Sequence, residues 1–210
     1  DNRNVYIDFV GYEGLTHKVN ADDLRKKAVK NYYKPDIFGK GFFGIGEYKS
    51  VINGKSTEEY ESWSGMMERG YSPKLKEKHP TYRDCSVCEE WYDFQVFAKW
   101  YTLQKFYGHG YSLDKDLLVK GNKVYSEDSC IFIPTEINTL LVKSTASRGE
   151  HLIGVYWSNT NKAFVARVNK SKGGSEYLGL FNTEIEAFNA YKTAKESFVK
   201  EQANKWEGKI

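Results

Sequence analysis

The sequence has 210 residues, a formal net charge of +3 and a hydrophobic share of 40%, which indicates a globular chain with one large domain or two small ones. This charge permits a nucleic-acid partner without requiring one, because a strongly basic binder would carry a larger excess of lysine and arginine. No apolar run of about 18 residues is present, so no membrane-spanning helix is predicted.

Two further features bear on the compartment. The first residues, DNRNVYIDF, are polar and lack the apolar segment of a secretory signal peptide. The cysteines are Cys85, Cys88 and Cys130, an odd number that fits a reducing cytoplasm better than a disulfide framework. We therefore expect a cytoplasmic protein.

Residues 1–55 contain short alternating or aromatic runs separated by glycine, such as VYIDFVGY and FGKGFFGIGEYKSVINGK. These runs predict twisted strands and turns, so the region is expected to be β-rich. One short helix is predicted at ADDLRKKAV, capped by Asn20 or Asp22. The glycine- and tyrosine-rich turns would either extend a binding surface or brace the core.

Residues 56–142 have a mainly helical pattern. Ser56 and Thr57 precede two glutamates, which is a helix-start signal. Two apolar stripes follow near helical spacing, and such stripes are mostly core. Their members are Tyr60, Trp63, Met66 and Met67 in the first, and Trp91, Phe94, Val96, Phe97 and Trp100 in the second.

Residues 143–150, KSTASRGE, are polar and predicted to be a linker. Residues 151–210 then predict three strands, GVYWSN, KAFVARVNK and EYLGLF, with a loop at Lys172-Gly173-Gly174 before the third. One helix follows, with Thr183 and Glu186 at capping-box spacing; Asn182 is an alternative cap. The helix face that would cover the sheet contains Ala187, Tyr191, Ala194 and Phe198.

This last region has an ordered string of residues with fixed spacing. The string consists of Gly154, Val155, Phe164, Ala166, Val168, Tyr177, Leu178, Gly179, Phe181, Ala187, Ala190, Tyr191 and Ala194. Over about 50 residues it resembles the plant-type Apetala-two DNA-binding domain, a three-stranded sheet with one packed helix. The resemblance implies that the sheet lies in the major groove of double-stranded DNA.

The residues of the predicted DNA face follow from strand alternation. If Phe164, Ala166 and Val168 face the helix, then Val165, Arg167 and Asn169 face away from it. Arg167 would read guanine and Lys162 would contact phosphate. The full predicted contact set is Tyr156, Ser158, Lys162, Arg167, Asn169 and Tyr177. The alternative is a small protein-binding sheet.

The plant domains carry several arginines on this face. Tyr156 and Ser158 stand on it here, which is a departure from that family. We therefore expect a weaker or different sequence preference.

Residues 110–138, GYSLDKDLLVKGNKVYSEDSCIFIPTEIN, form a second ordered string. Asp114 follows Leu113, the dipeptide Gly121-Asn122 predicts a hairpin turn, and Ser126-Glu127-Asp128 would open a helix-bearing half that closes at Asn138. With the lead-in from residue 40, this string resembles phage-borne HNH endonucleases, including homing types with a DNA-binding tail. The resemblance implies a ββα-metal finger.

By this resemblance, Asp114 and Asn138 would bind one divalent cation. Oxygen ligands from an acid and an amide suit Mg²⁺, and Mn²⁺ is the alternative. The ion would stabilise charge on the scissile phosphate and on the leaving oxygen.

The general base is less clearly marked. Lys115 takes the place of the family's histidine, and an ordinary lysine is protonated at neutral pH and cannot accept a proton. Because Asp114 and Asp116 beside it would favour this charged form, Lys115 is expected to bind phosphate. His109 is the nearest imidazole that would serve as the base, the alternative being a loop residue. Asp116 and Asn138 complete the predicted catalytic set.

The cysteines raise the separate question of a structural zinc. Cys85 and Cys88 have ligand spacing, but Cys130 is the only further thiol, and a zinc site of this class uses four ligands. His79 or His109 would have to complete it. A structural zinc is therefore not favoured, and metal binding by these cysteines stays open.

The fold class predicted from these elements is α+β: a β-rich amino-terminal region, a ββα-metal nuclease core, and a small three-stranded antiparallel sheet with one packed helix. The resemblance implies a metal-dependent DNA endonuclease of a phage, acting in the cytoplasm of a bacterial host and nicking or homing-like. A matched double-strand cut would need a homodimer. The alternatives are a catalytically inactive DNA-binding protein or regulator, and a nuclease-like fold used for protein interaction.

Overall fold

The computed structural model describes residues 3–104, 108–141, 150–170 and 174–209. It contains helices and small, mainly antiparallel sheets, so the predicted α+β class is confirmed. Contacts divide the chain into two compact units, residues 1–109 with 113–131, and residues 110–112 with 132–210. The predicted boundaries after residues 55, 142 and 150 stay predictions, and residues 143–149 of the predicted linker lie outside the described residues.

The first unit begins with two short hairpins. Strand β1 (Asn4–Ile7) pairs antiparallel with β2 (His17–Asn20), and helix α1 (Ala21–Arg25) follows directly. The Asn20 side chain accepts a hydrogen bond from the Asp22 amide at 2.8 Å, which confirms the predicted cap. Strands β3 (Val51–Ile52) and β4 (Lys55–Ser56) form the second hairpin.

Two helices build the core of the first unit. Helix α2 (Glu58–Tyr71) begins after Thr57, whose hydroxyl caps it as predicted, and α4 (Phe94–Thr102) begins after Asp93. The fully buried side chains include Trp63, Met66, Met67, Phe94 and Phe97. The indole N–H of Trp63 donates to the Trp91 carbonyl at 2.7 Å, so the largest core side chain has its polar atom satisfied.

The second apolar stripe differs from the prediction at two positions. Trp91 lies in a 3-10 turn, Glu89–Tyr92, because the Asp93 cap starts the α-helix only at Phe94. Val96 is 44% exposed, so the buried face of α4 does not include it.

Helix α3 (Pro73–Lys78), capped by Ser72, and a 3-10 turn at Pro80–Tyr82 connect α2 to strand β5 (Ser86–Val87). Strands β6 (Ser112–Asp114), β7 (Val124–Tyr125) and β8 (Ile131–Ile133) follow, and then helix α5 (Thr135–Leu141).

The pairing of these strands corrects the predicted hairpin. Strand β7 pairs in parallel with β5, and β6 pairs with β8, so the strands on either side of Gly121-Asn122 do not pair with each other. The turn itself is confirmed, since Gly121 has a φ of 81°. Glu127 and Asp128 lie in a second turn, and the helix of this half, α5, begins at Thr135 and extends past Asn138 to Leu141.

The second unit contains the predicted sheet and helix. Strands β9 (Val155–Ser158), β10 (Ala163–Lys170) and β11 (Gly174–Phe181) form an antiparallel sheet with β10 at its centre. Helix α6 (Glu184–Trp206) begins with the predicted capping box of Thr183 and Glu186. Val155, Ala166 and Ala187 form the core between sheet and helix. Two residues of the predicted loop before β11, Lys172 and Gly173, lie outside the described residues.

Gly154 permits the close approach of α6 to the sheet. It has a φ of 78°, a conformation that favours glycine, and a Cβ there would overlap the Tyr191 ring. Among the described residues, no helix is both long enough and apolar enough to cross a membrane.

Asp93 caps α4 and makes the stability of the first unit depend on pH. Its Oδ1 accepts a hydrogen bond from the Gln95 amide at 2.8 Å. Burial raises the pKa of the Asp93 carboxyl above its usual 3.8, and the backbone amides of Gln95 and Val96 oppose that rise. Because the pKa of Asp93 is higher in the folded than in the unfolded protein, its contribution to stability is fully present below the unfolded-state pKa. That contribution is lost as the pH rises through the folded-state pKa.

We expect Asp93→Asn to keep the cap and to remove the cost of ionising a buried carboxyl, since asparagine caps helices as well as aspartate does. Its melting temperature relative to the wild type should therefore rise between about pH 3 and about pH 6. Asp93→Ala, which loses the cap, should lower the free energy of unfolding at the acidic end by about 1 kcal/mol. Thermal unfolding followed by circular dichroism measures both; a constant difference between wild type and Asp93→Asn would contradict the expectation.

Candidate functional site

The predicted metal ligand Asp114 lies at the end of β6, where the finger loop (residues 115–123) begins. Its Oδ1 accepts hydrogen bonds from the amides of Asp116 at 3.0 Å and Leu117 at 2.7 Å. Both bonds use the same oxygen, so the carboxylate is fixed in orientation through Oδ1. The bonds also fold the chain back immediately after the strand.

Asn122 closes the other end of the finger loop. Its Nδ2 donates to the carbonyls of Lys115 at 2.7 Å and Val124 at 2.6 Å, and its Oδ1 accepts from the Val124 amide at 3.2 Å. The predicted turn residue therefore fixes the loop as a whole. The strands that flank the loop pair elsewhere, β6 with β8 and β7 with β5.

Lys115, which the HNH resemblance would align with that family's histidine, is 8% exposed. Its Nζ lies 3.3 Å from Oδ2 of Asp116 and 5.7 Å from the centre of the Tyr125 ring. The prediction that Lys115 binds phosphate stays untested, but a side chain this buried presents little surface to a ligand. Its contacts instead stabilise the base of the loop.

Tyr125 was not singled out from the sequence, yet it lies between two cations. Arg69 donates from Nε to the Tyr125 hydroxyl at 2.9 Å, and its guanidinium lies 5.4 Å from the ring centre. Burial raises the pKa of Tyr125 to about 12, although Arg69 opposes that rise. Tyr125 thus stays a neutral phenol that connects α2 to the finger loop.

The tip of the finger loop is apolar and exposed. Leu117, Leu118 and Val119 all lie open to solvent, followed by exposed Lys120 and, three residues after it, exposed Lys123. The run DLLVKG contains the signal for this feature, because three apolar residues between turn residues are unusual. The exposure of this run was not predicted from the sequence.

The other predicted catalytic residues lie in different parts of the chain. His109 is exposed in a turn between Gly108 and Gly110. Asn138 is half-buried in α5, within the second unit, whereas Asp114 belongs to the first. The pairing of Asp114 with Asn138 as metal ligands therefore stays a prediction. Within the described ranges, no group of three or more histidine, cysteine, aspartate or glutamate side chains is placed to bind a metal.

The three cysteines are free thiols. Cys85 and Cys130 are buried, and Cys88 is half-buried. Burial raises the pKa of Cys88 to about 11, and burial likewise raises the pKa of Cys130 to about 11. Zinc binds thiolates, so these environments disfavour the ionised form that a zinc site requires.

The predicted DNA surface is the side of the three-stranded sheet that carries Arg167, here called the outer face. Cross-strand partners share a face of a sheet, so its rows are set by the strand register. The rows are Tyr156–Val165–Leu180, Arg167–Tyr177 and Asn169–Ser175. All these residues except Val165 are exposed. The Arg167 guanidinium lies 5.8 Å from the centre of the Tyr177 ring, which orients it across the sheet.

Three residues near this surface differ in burial or in local structure from the exposed residues of the outer face. Val165 shares its row with Tyr156 and Leu180 on the central strand, but it is only 2% exposed and so presents almost no surface for contact. Ser158 accepts hydrogen bonds from both the amide and the side chain of Asn161 and so stabilises the turn. Lys162 is exposed at that turn with a φ of 51°.

No protein-family model matches the chain, and no curated protein or solved structure is significantly similar to it. The resemblances to HNH endonucleases and to the Apetala-two domain therefore stay predictions. The candidate site is defined by its own residues and contacts.

We expect Cys88 and Cys130 to react slowly with iodoacetamide at about pH 8, because only the thiolate is a nucleophile. A thiol pKa raised by about two units lowers the thiolate fraction by about a hundredfold, and the rate should climb as the pH approaches that pKa. Mass spectrometry of labelled peptides gives the rate at each cysteine, with the protein in denaturant as the control. Labelling of either residue at the rate of the unfolded chain would contradict the burial described above.

Proposed function

We propose that the chain binds double-stranded DNA through the outer face of its sheet and hydrolyses a phosphodiester bond beside the finger loop. The observation that carries the proposal is the exposed row of Arg167 and Tyr177, flanked by Tyr156 and Asn169. A single active site predicts a nick, and two copies of the chain would be needed for a double-strand cut.

The outer face has the donors that base recognition requires. Arg167 presents a planar fork that matches the acceptors of guanine, and Asn169 carries an amide of the kind that pairs with adenine. The contact with Tyr177 restrains the guanidinium, so less side-chain freedom is lost on binding. Lys162, at the exposed turn, is suited to a phosphate.

The finger loop supports the hydrolytic part of the proposal. Asp114 is fixed at a strand end by two backbone amides that both use Oδ1. Strand β6, which ends at Asp114, pairs with β8, and helix α5, which contains Asn138, follows β8 in the chain. Asp114 and Asn138 would supply oxygen ligands to Mg²⁺ or Mn²⁺, and the bound ion would stabilise charge on the phosphate and the leaving oxygen.

A second candidate function is DNA binding without hydrolysis. The observation that favours it is Lys115, which stands at the place of the proton acceptor and is buried against Tyr125. If this function is correct, the finger loop is a structural element, and His109 has no role as a base.

The substitution Asp114→Asn separates the two functions. Asparagine keeps an oxygen for the amides of Asp116 and Leu117 but removes the negative charge that a cation requires. We expect wild type to nick supercoiled plasmid with Mg²⁺ or Mn²⁺, and Asp114→Asn to lose at least about a hundredfold in rate with an unchanged melting temperature.

The exposed acid Asp128 gives a matched control, since Asp128→Asn makes the same chemical change outside the finger loop and should leave the rate unchanged. Asp114→Ala should lose both the rate and part of the thermal stability. Nicking by Asp114→Asn at the wild-type rate would exclude Asp114 as a metal ligand. Metal-independent inactivity of wild type and variant alike would favour the second candidate.

We expect Arg167→Ala to weaken binding to a preferred duplex by about tenfold, since one bidentate base contact contributes about 1–3 kcal/mol. Lys200→Ala, which removes an exposed cation from α6, is the control and should have little effect. Fluorescence anisotropy at several salt concentrations measures affinity and its salt dependence together. Equal affinity and equal salt dependence for wild type and Arg167→Ala would exclude the outer face as the binding surface.

A further inference from the structure

The first unit contains a cavity of about 420 Å³ that no step of the proposed reaction uses. It lies between Tyr32 and the segment Phe43 to Val51, and contains neither a finger-loop residue nor an outer-face residue. The side chains that matter for its chemistry are Tyr32, Phe43, Ile45, Tyr48, Lys49 and Ser50.

The wall of the cavity is fixed from behind by one buried amide. Gln95, 8% exposed, accepts a hydrogen bond at Oε1 from the Tyr48 amide at 3.0 Å. Its Nε2 donates to the carbonyls of Phe43 at 3.3 Å and Tyr48 at 3.0 Å. A fourth hydrogen bond, independent of Gln95, runs from the Gly44 amide to the Tyr32 carbonyl at 2.9 Å. The cavity is therefore formed before any ligand arrives, which lowers the ordering cost of binding.

Close packing against the start of α4 explains why Gly44 and Gly46 are glycines. A Cβ on Gly44 would overlap the Asp93 carboxylate, and a Cβ on Gly46 would overlap the Gln95 amide. The backbone thus lies directly against the start of α4. No side chain from either glycine reduces the space on the cavity side.

The lining combines aromatic rings with positive charge. Tyr32 and Phe43 have ring centres 6.2 Å apart, and Tyr32 is 38% exposed. Lys49 is exposed at the cavity wall, and Nζ of Lys30 lies 5.8 Å from the Tyr32 ring centre. Aromatic faces bind planar bases by stacking, and lysine binds phosphate as a point charge. The cavity lining therefore contains a partner for each half of a nucleotide, the rings for the base and Lys49 for the phosphate.

We propose that this cavity binds one nucleotide, with its base against Tyr32 and Phe43 and its phosphate at Lys49. The nucleotide is either a free monophosphate or an unpaired base that remains part of a DNA strand, since both present the same planar ring and anion. The inference goes beyond the proposed function and does not depend on it, because the cavity shares no residue with the finger loop or the outer face.

The probe for both sources is 2-aminopurine, a fluorescent base that is quenched on stacking. In one arm it is the free deoxyribonucleoside monophosphate, and in the other it is an unpaired base between two abasic positions of a duplex, where it has no stacked neighbours and is bright before it binds. We expect quenching in at least one arm. Lys49→Ala should weaken that binding by about tenfold, since it removes the cation that would meet the phosphate.

A second variant, Ile45→Trp, would fill the cavity from an exposed position and should abolish quenching. The control is Lys55→Ala, which removes an exposed lysine from the neighbouring hairpin and should leave binding unchanged. Melting temperatures verify that each variant is folded.

Quenching of the free monophosphate assigns the cavity to a mononucleotide, and quenching only within the duplex assigns it to a base of the strand. The proposal is overturned if neither probe is quenched, or if Lys49→Ala and Ile45→Trp bind as the wild type does. Plasmid nicking and affinity for a fully paired duplex, measured on the same variants, should be unchanged, so failure here is distinct from failure of the proposed function.

Discussion

The structure of the first unit depends on the packing of Trp63 against the start of α4. Its indole donates to the Trp91 carbonyl, and its ring lies 5.4 Å from that of Phe94. A buried N–H left without a partner costs about 1–3 kcal/mol, so this bond sets how α2 and the Trp91 segment meet. Phe94 in turn lies 4.9 Å from Phe43, ring centre to ring centre. The cavity wall and the helix core therefore share one aromatic cluster.

Helix α2 also positions the finger loop. Tyr71, at the end of α2, accepts a hydrogen bond from the Val87 amide, which places β5 against the helix. Strand β5 pairs with β7, and Tyr125 of β7 meets Arg69 of α2. Asp114 and Asn122 are thus anchored by a framework in which each contact joins segments far apart in the sequence.

The sequence was sufficient where a structure is determined by neighbouring residues. The caps at Asn20, Thr57 and Thr183, the three strands of the second unit and helix α6 all follow from local signals, and all are present. It was insufficient where distant segments decide. The parallel pairing of β7 with β5 and the burial of Val165 depend on packing partners that a periodic pattern does not identify.

The candidate sites divide in the same way. Arg167, Tyr177 and Asn169 were placed on one exposed face by alternation alone, even though the register shifts between Ala166 and Arg167. The burial of Lys115 was not predicted, because it results from contact with Tyr125, ten positions later. The cavity at Tyr32 was also missed, since the hydrogen bond from Tyr48 to Gln95 spans 47 positions.

The position of Gly44 and Gly46 affects how sequence variation in this protein should be interpreted. A Cβ on Gly44 would overlap Asp93 and a Cβ on Gly46 would overlap Gln95, so larger residues would be selected against whether or not a ligand exists. Their invariance among relatives would consequently be evidence of folding and not of binding. Lys49 is exposed and has no such packing role. Conservation of a positive charge at this position would therefore indicate selection for ligand binding.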